Sequence, residues 1–125
     1  MFNSIYSNML SYLDEIKSTM KFKNKIILRA EESILRNTVS RNRYLLGNYH
    51  NKTLASIITL VVNLEVQGKL DESISLLREI ITIKRNKIGK RHPITMAYTI
   101  YLAHILDISG KIDEKNALFK EIFTS

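Results

Sequence analysis

Between positions 53 and 67 the apolar residues fall at Leu54, Ile57, Ile58, Leu60, Val61 and Leu64. That i, i+3, i+4, i+7 spacing is one stripe of an α-helix, and Gly68 behind it is the residue type that ends a helix in a left-handed turn. Lys69-Leu70-Asp71-Glu72 then places two carboxylates in the first turn of a second helix, where the positive end of the helix dipole favours them. Ile74, Leu77, Ile80 and Ile81 form its stripe, and Lys84, Arg85 and Lys87 lie near its C-terminal end. The single proline, Pro93, opens the next helix, a position that needs no N–H. The pattern predicts helix, tight turn, helix, short loop.

The same pattern occurs twice. Shifting the chain by 42 residues pairs positions 47–83 with 89–125, and 15 of these 37 pairs are identical, among them Gly47/Gly89, His50/His92, Thr53/Thr95, Gly68/Gly110 and Glu79/Glu121. Self-similarity at a fixed period marks a repeat architecture, in which each helix pair buries its apolar face on the next. A weaker third copy lies upstream. An offset of 48 sets Met20-Lys21-Phe22 on Gly68-Lys69-Leu70, with Ile26 on Ile74, Leu28 on Leu76 and Glu31 on Glu79. Met9, Tyr12, Leu13 and Ile16 then share the face of Ile57, Leu60, Val61 and Leu64. The expected array is all-α, with helix pairs over residues 3–45, 51–87 and 93–124 in a single domain spanning 1–125.

Three segments resemble the tetratricopeptide repeat, in the 42-residue variety of kinesin light chains. They are Gln67-Gly68-Lys69-Leu70-Asp71-Glu72-Ser73, then Leu76-Leu77-Arg78-Glu79-Ile80, then Ile88-Gly89-Lys90-Arg91-His92-Pro93. The resemblance implies a right-handed superhelix of antiparallel helix pairs whose first helices line a concave groove. By position, the groove would present Leu10, Ser11, Asp14 and Lys17, then Ile58, Thr59, Val62 and Glu65, then Ile100, Tyr101, His104 and Asp107. Asp14, Lys17, Thr59, Val62, Tyr101 and His104 are the expected partner contacts. Kinesin light chains commonly carry an Asn pair in each first helix to hold a peptide backbone, whereas this chain has Ile58-Thr59 and Ile100-Tyr101. The expected ligand is therefore a helix or an apolar surface rather than an extended peptide. The family prefers Ala where the two helices of a pair cross. Ser73 stands there in the second pair, and Lys25 and Lys115 in the other two.

Composition narrows the function classes. A chain of 125 residues with 45% hydrophobic residues is one ordinary domain or one short array. No cysteine is present, so no disulfide frame or thiolate chemistry is available, and a reducing compartment, the cytoplasm, fits best. Positions 1–17 interleave polar residues unlike a secretory leader, and the most apolar stretch, 54–66, is too short and polar to cross a membrane. His50 and His92 fall at the same turn position of the two units. His104 with Asp107 supplies two metal ligands where three or four are needed. Nothing matches a nucleophile elbow or a phosphate-binding loop, so neither catalysis nor a cofactor is expected.

The net charge of +7 is concentrated in Lys84, Arg85, Lys87, Lys90 and Arg91, with Arg41 and Arg43 at the matching end of the unit before. Stacked units place these on one edge, and nucleic-acid binding through phosphate neutralisation is the alternative reading. Cations at helix C-termini are also locally stabilising, and no aromatic platform is interleaved with them. Phe119, Ile122 and Phe123 leave the last helix without a polar cap, which suggests a homo-oligomer contact there. The leading expectation is a non-enzymatic adaptor for a protein or peptide partner. A small peptide-sensing regulator would use the same groove.

Overall fold

The protein is described by a computed structural model covering residues 2–123, with side chains described for residues 7–123. It contains six helices: α1 Phe2–Lys21, α2 Lys25–Leu46, α3 Asn51–Val66, α4 Leu70–Ile88, α5 Pro93–Ile108 and α6 Ile112–Phe123. No strand occurs among the described residues, and no helix there is long and apolar enough to cross a membrane.

The joints follow from the chain's own turn chemistry. His50 Nδ1 accepts from the Lys52 N–H at 3.0 Å and His92 Nδ1 from the Ile94 N–H at 3.2 Å, so both histidines are N-caps, of α3 and α5. At the α3–α4 joint, Gly68 has φ +81°, its N–H bonds to Glu65 O at 2.9 Å, and the Lys69 N–H reaches Leu64 O at 2.8 Å. These paired bonds satisfy two carbonyls at the helix end and reverse the chain within a few residues. Asn24 caps α2 by accepting from the Ile27 N–H at 3.0 Å.

From α2 onward each helix packs on the next in sequence. The repeat register is 42 throughout this part, including α2, and the offset of 48 expected for α2 does not hold. Arg36 matches Arg78, Val39 matches Ile81, Arg43 matches Arg85 and Gly47 matches Gly89. The Gly47 N–H bonds to Arg43 O at 3.1 Å and the Gly89 N–H to Arg85 O at 3.0 Å, the same bond one unit on. Ion pairs repeat in the same register. Arg36 forms two bonds of 2.7 Å to Glu72, Arg43 bonds to Glu79 at 2.7 and 3.0 Å, Arg78 pairs with Glu114 at 3.0 Å, and Arg85 pairs with Glu121. They join α2 to α4 and α4 to α6 as a row.

α1 breaks the pattern. Its packing is principally against α3 and α5, not along α2 as the antiparallel partner expected for residues 3–45. The reason lies at the crossing point. In the second unit Ser73 is fully buried and its Oγ donates to Val61 O at 3.2 Å, so α3 and α4 approach closely. In the 42-residue register the matching residue of α2 is Glu31, not Lys25, which begins α2 in an exposed position. Glu31 pairs with Lys23, and its Oε2 is buried without a hydrogen-bond partner. A carboxylate at such a point holds a covering helix off. Ile26 and Ile34 on α2 are left 78% and 65% exposed. Lys115, at the crossing in the third unit, instead reaches Asp107 at 2.9 Å.

α3 and α5 form the core. Nine of the 16 residues of each are buried, because each is enclosed by three helices: α3 by α1, α2 and α4, and α5 by α1, α4 and α6. A helix that is apolar all round is stable only when covered on every side. α1 supplies the third cover through Leu13 and Met20, which are buried, and Met9 and Ile16, which are partly so.

Candidate interaction site

Glu65 lies in the last turn of α3, on the side turned toward α1. Its side chain is 7% exposed, and three groups converge on it. The Tyr101 hydroxyl of α5 donates to Oε1 at 2.5 Å, the Lys17 ammonium of α1 lies 2.9 Å from Oε2, and His104 Nε2 of α5 is 3.8 Å from the same oxygen. Lys17 also stands 5.8 Å from the centre of the Tyr101 ring. A buried carboxylate is costly unless it is paired and hydrogen-bonded, and here α5 supplies the hydrogen bond and α1 the ion pair. Burial, followed by the Glu65 charge, holds the Tyr101 phenol well above the ordinary tyrosine range. Tyr98, one turn away, is pushed up to about 12, chiefly by burial.

Two crevices flank α1. One, of about 250 Å³, lies between α1 and α5 and includes Asp14, Lys17, Tyr101 and His104. The other, of about 350 Å³, lies between α1, α2 and α3 and includes Ile16, Met20, Ile34, Leu35 and Thr59. Five of the six expected contact residues therefore line these crevices, Asp14 and Lys17 from α1 itself and Thr59, Tyr101 and His104 from the helices beneath it. The sixth, Val62, is fully buried, and Tyr101 is 7% exposed. The face that sequence places in an open groove carries a helix of the same chain. Asp107 pairs with Lys115 and not with His104.

Glu65 is the residue whose importance the sequence understated. Its signal was present: it is the one charged residue in an otherwise uncharged stretch from 53 to 68. The apolar character of both α3 and α5 around their whole circumference was a second signal, pointing to a third cover.

The basic edge divides into two sets. Arg43 is held by Glu79 and also donates to Asn48 Oδ1 at 3.0 Å, and Arg85 is held by Glu121. Lys87 Nζ donates to Tyr49 O at 3.4 Å. Burial, then the nearby Lys87 charge, lowers the pKa of Lys84. Arg41 and Arg91 are exposed, and the Arg85 guanidinium, with a further contribution from the Lys90 charge, lowers the pKa of Glu121. A hollow of about 780 Å³ lies beside this edge and includes Tyr49, Arg78, Glu79, Ile83 and Lys87. Among the described residues, no group of three or more His, Cys, Asp or Glu side chains is placed to hold a metal ion.

No protein-family model, curated protein or solved structure matches the chain.

Proposed function

We propose that the chain is a non-enzymatic protein-interaction module of the tetratricopeptide type, acting in the cytoplasm, that takes a helical segment of a protein partner on the face formed by α3 and α5. The observation that carries this reading is that this face already holds a helix. α1 lies on it through an apolar stripe and a lysine–glutamate pair, which is the physics of a helix in a groove. The 42-residue period and the Ile-Thr and Ile-Tyr pairs in place of paired asparagines also favour a helix over an extended peptide. Against the nucleic-acid alternative, Arg43 and Arg85 each have a glutamate partner, which reduces the cations available to phosphate.

The test is a fluorescence-anisotropy titration of the full chain with three probes: an amphipathic helical peptide with one lysine, a proline-rich extended peptide of equal charge, and a short DNA duplex. Binding of the helical peptide above the other two is expected. Preferential, steeply salt-dependent binding of the duplex would replace this reading with the nucleic-acid one.

A further inference from the structure

Resting on the helix-binding reading, we infer that α1 is a replaceable occupant of the α3/α5 face, and that the partner is an amphipathic helix whose own lysine or arginine takes the place of Lys17 on Glu65.

Four observations lead there. First, α1 stands outside the 42-residue register that relates α2 to α4, so it is an addition laid on the repeat and not one of its units. Second, its hold is narrow. Of its described side chains only Leu13 and Met20 are buried, against nine residues in each of the helices beneath it. Third, crevices of about 350 and 250 Å³ run along its two flanks. Protein interiors are close-packed, and a helix bordered by empty space on both sides has forgone much of the contact that a fitted one makes. Fourth, among the described residues its ion pair with the face, Lys17 to Glu65, is at the rim of the crevice of about 250 Å³, with Lys17 32% exposed and Glu65 only 7%. The carboxylate is the fixed half of that pair, and the cation is the half that can leave.

These features define the chemistry of the occupant. On α1 the contacts come from Met9, Leu13, Ile16 and Met20, at i, i+4, i+7 and i+11, with the cation at i+8. A competing helix needs the same apolar stripe and a basic residue one position after its third apolar contact. The Tyr101 hydroxyl bond to Glu65 joins α5 to α3 and uses no atom of α1, so it serves to preorganise the receiving site during exchange. His104, 3.8 Å away and 51% exposed, stands at the mouth of the same crevice.

The probe is a labelled peptide with the sequence of residues 2–24, added in trans to the full chain. Binding to the unaltered chain is reduced by the fraction of molecules in which α1 is seated. Leu13→Asp, which unseats α1, is expected to raise probe affinity about tenfold, with circular dichroism confirming that the helices remain. Adding Glu65→Lys is expected to abolish that gain, and a probe carrying Lys17→Glu to restore it. In the unaltered chain, amide hydrogens of α1 should exchange faster than those of α3 and α5.

The inference is overturned if α1 amides are protected as strongly as those of α3, a measurement that needs no variant to fold. It is also overturned if the Leu13→Asp chain binds the probe no better than the unaltered chain, or binds it regardless of the charge at position 65. Concentration-dependent dimers that exchange α1 between copies would overturn it in favour of a second copy as occupant. Binding of helical probes without the charge rule leaves the helix-binding reading standing. If no helical probe binds even the opened chain, that reading fails too.

Discussion

Thr53 and Thr95 hold the same place in successive units, and both are fully buried, yet their hydroxyls differ. Thr53 Oγ1 donates to Gly47 O at 2.8 Å and closes the loop before α3, whereas Thr95 Oγ1 has no partner. An unmet buried hydroxyl is a cost and a met one a modest gain, so the two sites should respond oppositely to valine. Thr53→Val is expected to lower stability by about 1–2 kcal/mol and Thr95→Val to leave it unchanged or raise it slightly. Urea denaturation of the two variants checks this, and equal losses would refute it. At this scale the sequence was informative where chemistry is local. The turn position of His50 and His92 was legible, and both prove to be N-caps. It was uninformative where partners come from afar: nothing near His104 in the chain indicates that its neighbour is Glu65 and not Asp107.

The helices from α3 onward were legible from spacing alone, with stripes expected at 53–67 and 95–109 against observed helices Asn51–Val66 and Pro93–Ile108. Four glycines of positive φ and one proline punctuate them where the pattern placed the joints. α2 was legible as a helix but misaligned, because Met20-Lys21-Phe22 imitates the Gly68-Lys69-Leu70 of the next unit by composition. Its arginines carry the true register. Arg36 sits between Glu32 and Glu72, and Glu32 in turn accepts from Gln67 and Lys69 at 3.0 and 2.7 Å. Lys69 and the other donors hold Glu32 well below the usual carboxylate range, at about 2, and Arg36 lowers Glu72 as well.

The sign of the acid response follows. These carboxylates are more acidic folded than unfolded, so their contribution is complete above the unfolded value of 4.5 and is lost as pH falls from there toward 2. Urea melts from neutral pH to pH 2 should show that loss. Arg36→Met should flatten it while costing about 1 kcal/mol at neutral pH, since partly exposed pairs are individually weak. An acid profile identical to that of the unaltered chain would refute the network's role.

Across the whole molecule, the main backbone packing from α2 to α6 is between helices adjacent in sequence, whereas α1 must find α5 some ninety residues away. Local contacts form early in folding, and distant ones carry the larger loop-closure cost. α1 should therefore dock after the array has formed. Leu13→Ala is expected to speed unfolding and leave the folding rate nearly unchanged, whereas Leu77→Ala, in the buried heart of α4, should slow folding. Stopped-flow chevrons separate the two, and a slower folding rate for Leu13→Ala would refute late docking. The docking of α1 was the part of the site least legible in the sequence. Residues 3–19 have an ordinary amphipathic pattern, and the obstacle that turns them away from α2 is a single carboxylate, Glu31, whose role depends on a register that the first unit obscures.

The arginine–glutamate row has a further meaning for how such a protein could arise. α4 carries both halves of the row, receiving through Glu72 and Glu79 and giving through Arg78 and Arg85. A unit built in this way is complementary to its own copy. When its coding segment is duplicated in tandem, the new junction is electrostatically matched at birth, with no compensating change required. α2 has Ala30 and Asn37 where α4 has its two glutamates, so the same rule offers nothing to a unit placed before it. A copy of the α4 unit is thus matched to its own kind, whereas a unit placed before α2 meets no glutamate at those two positions.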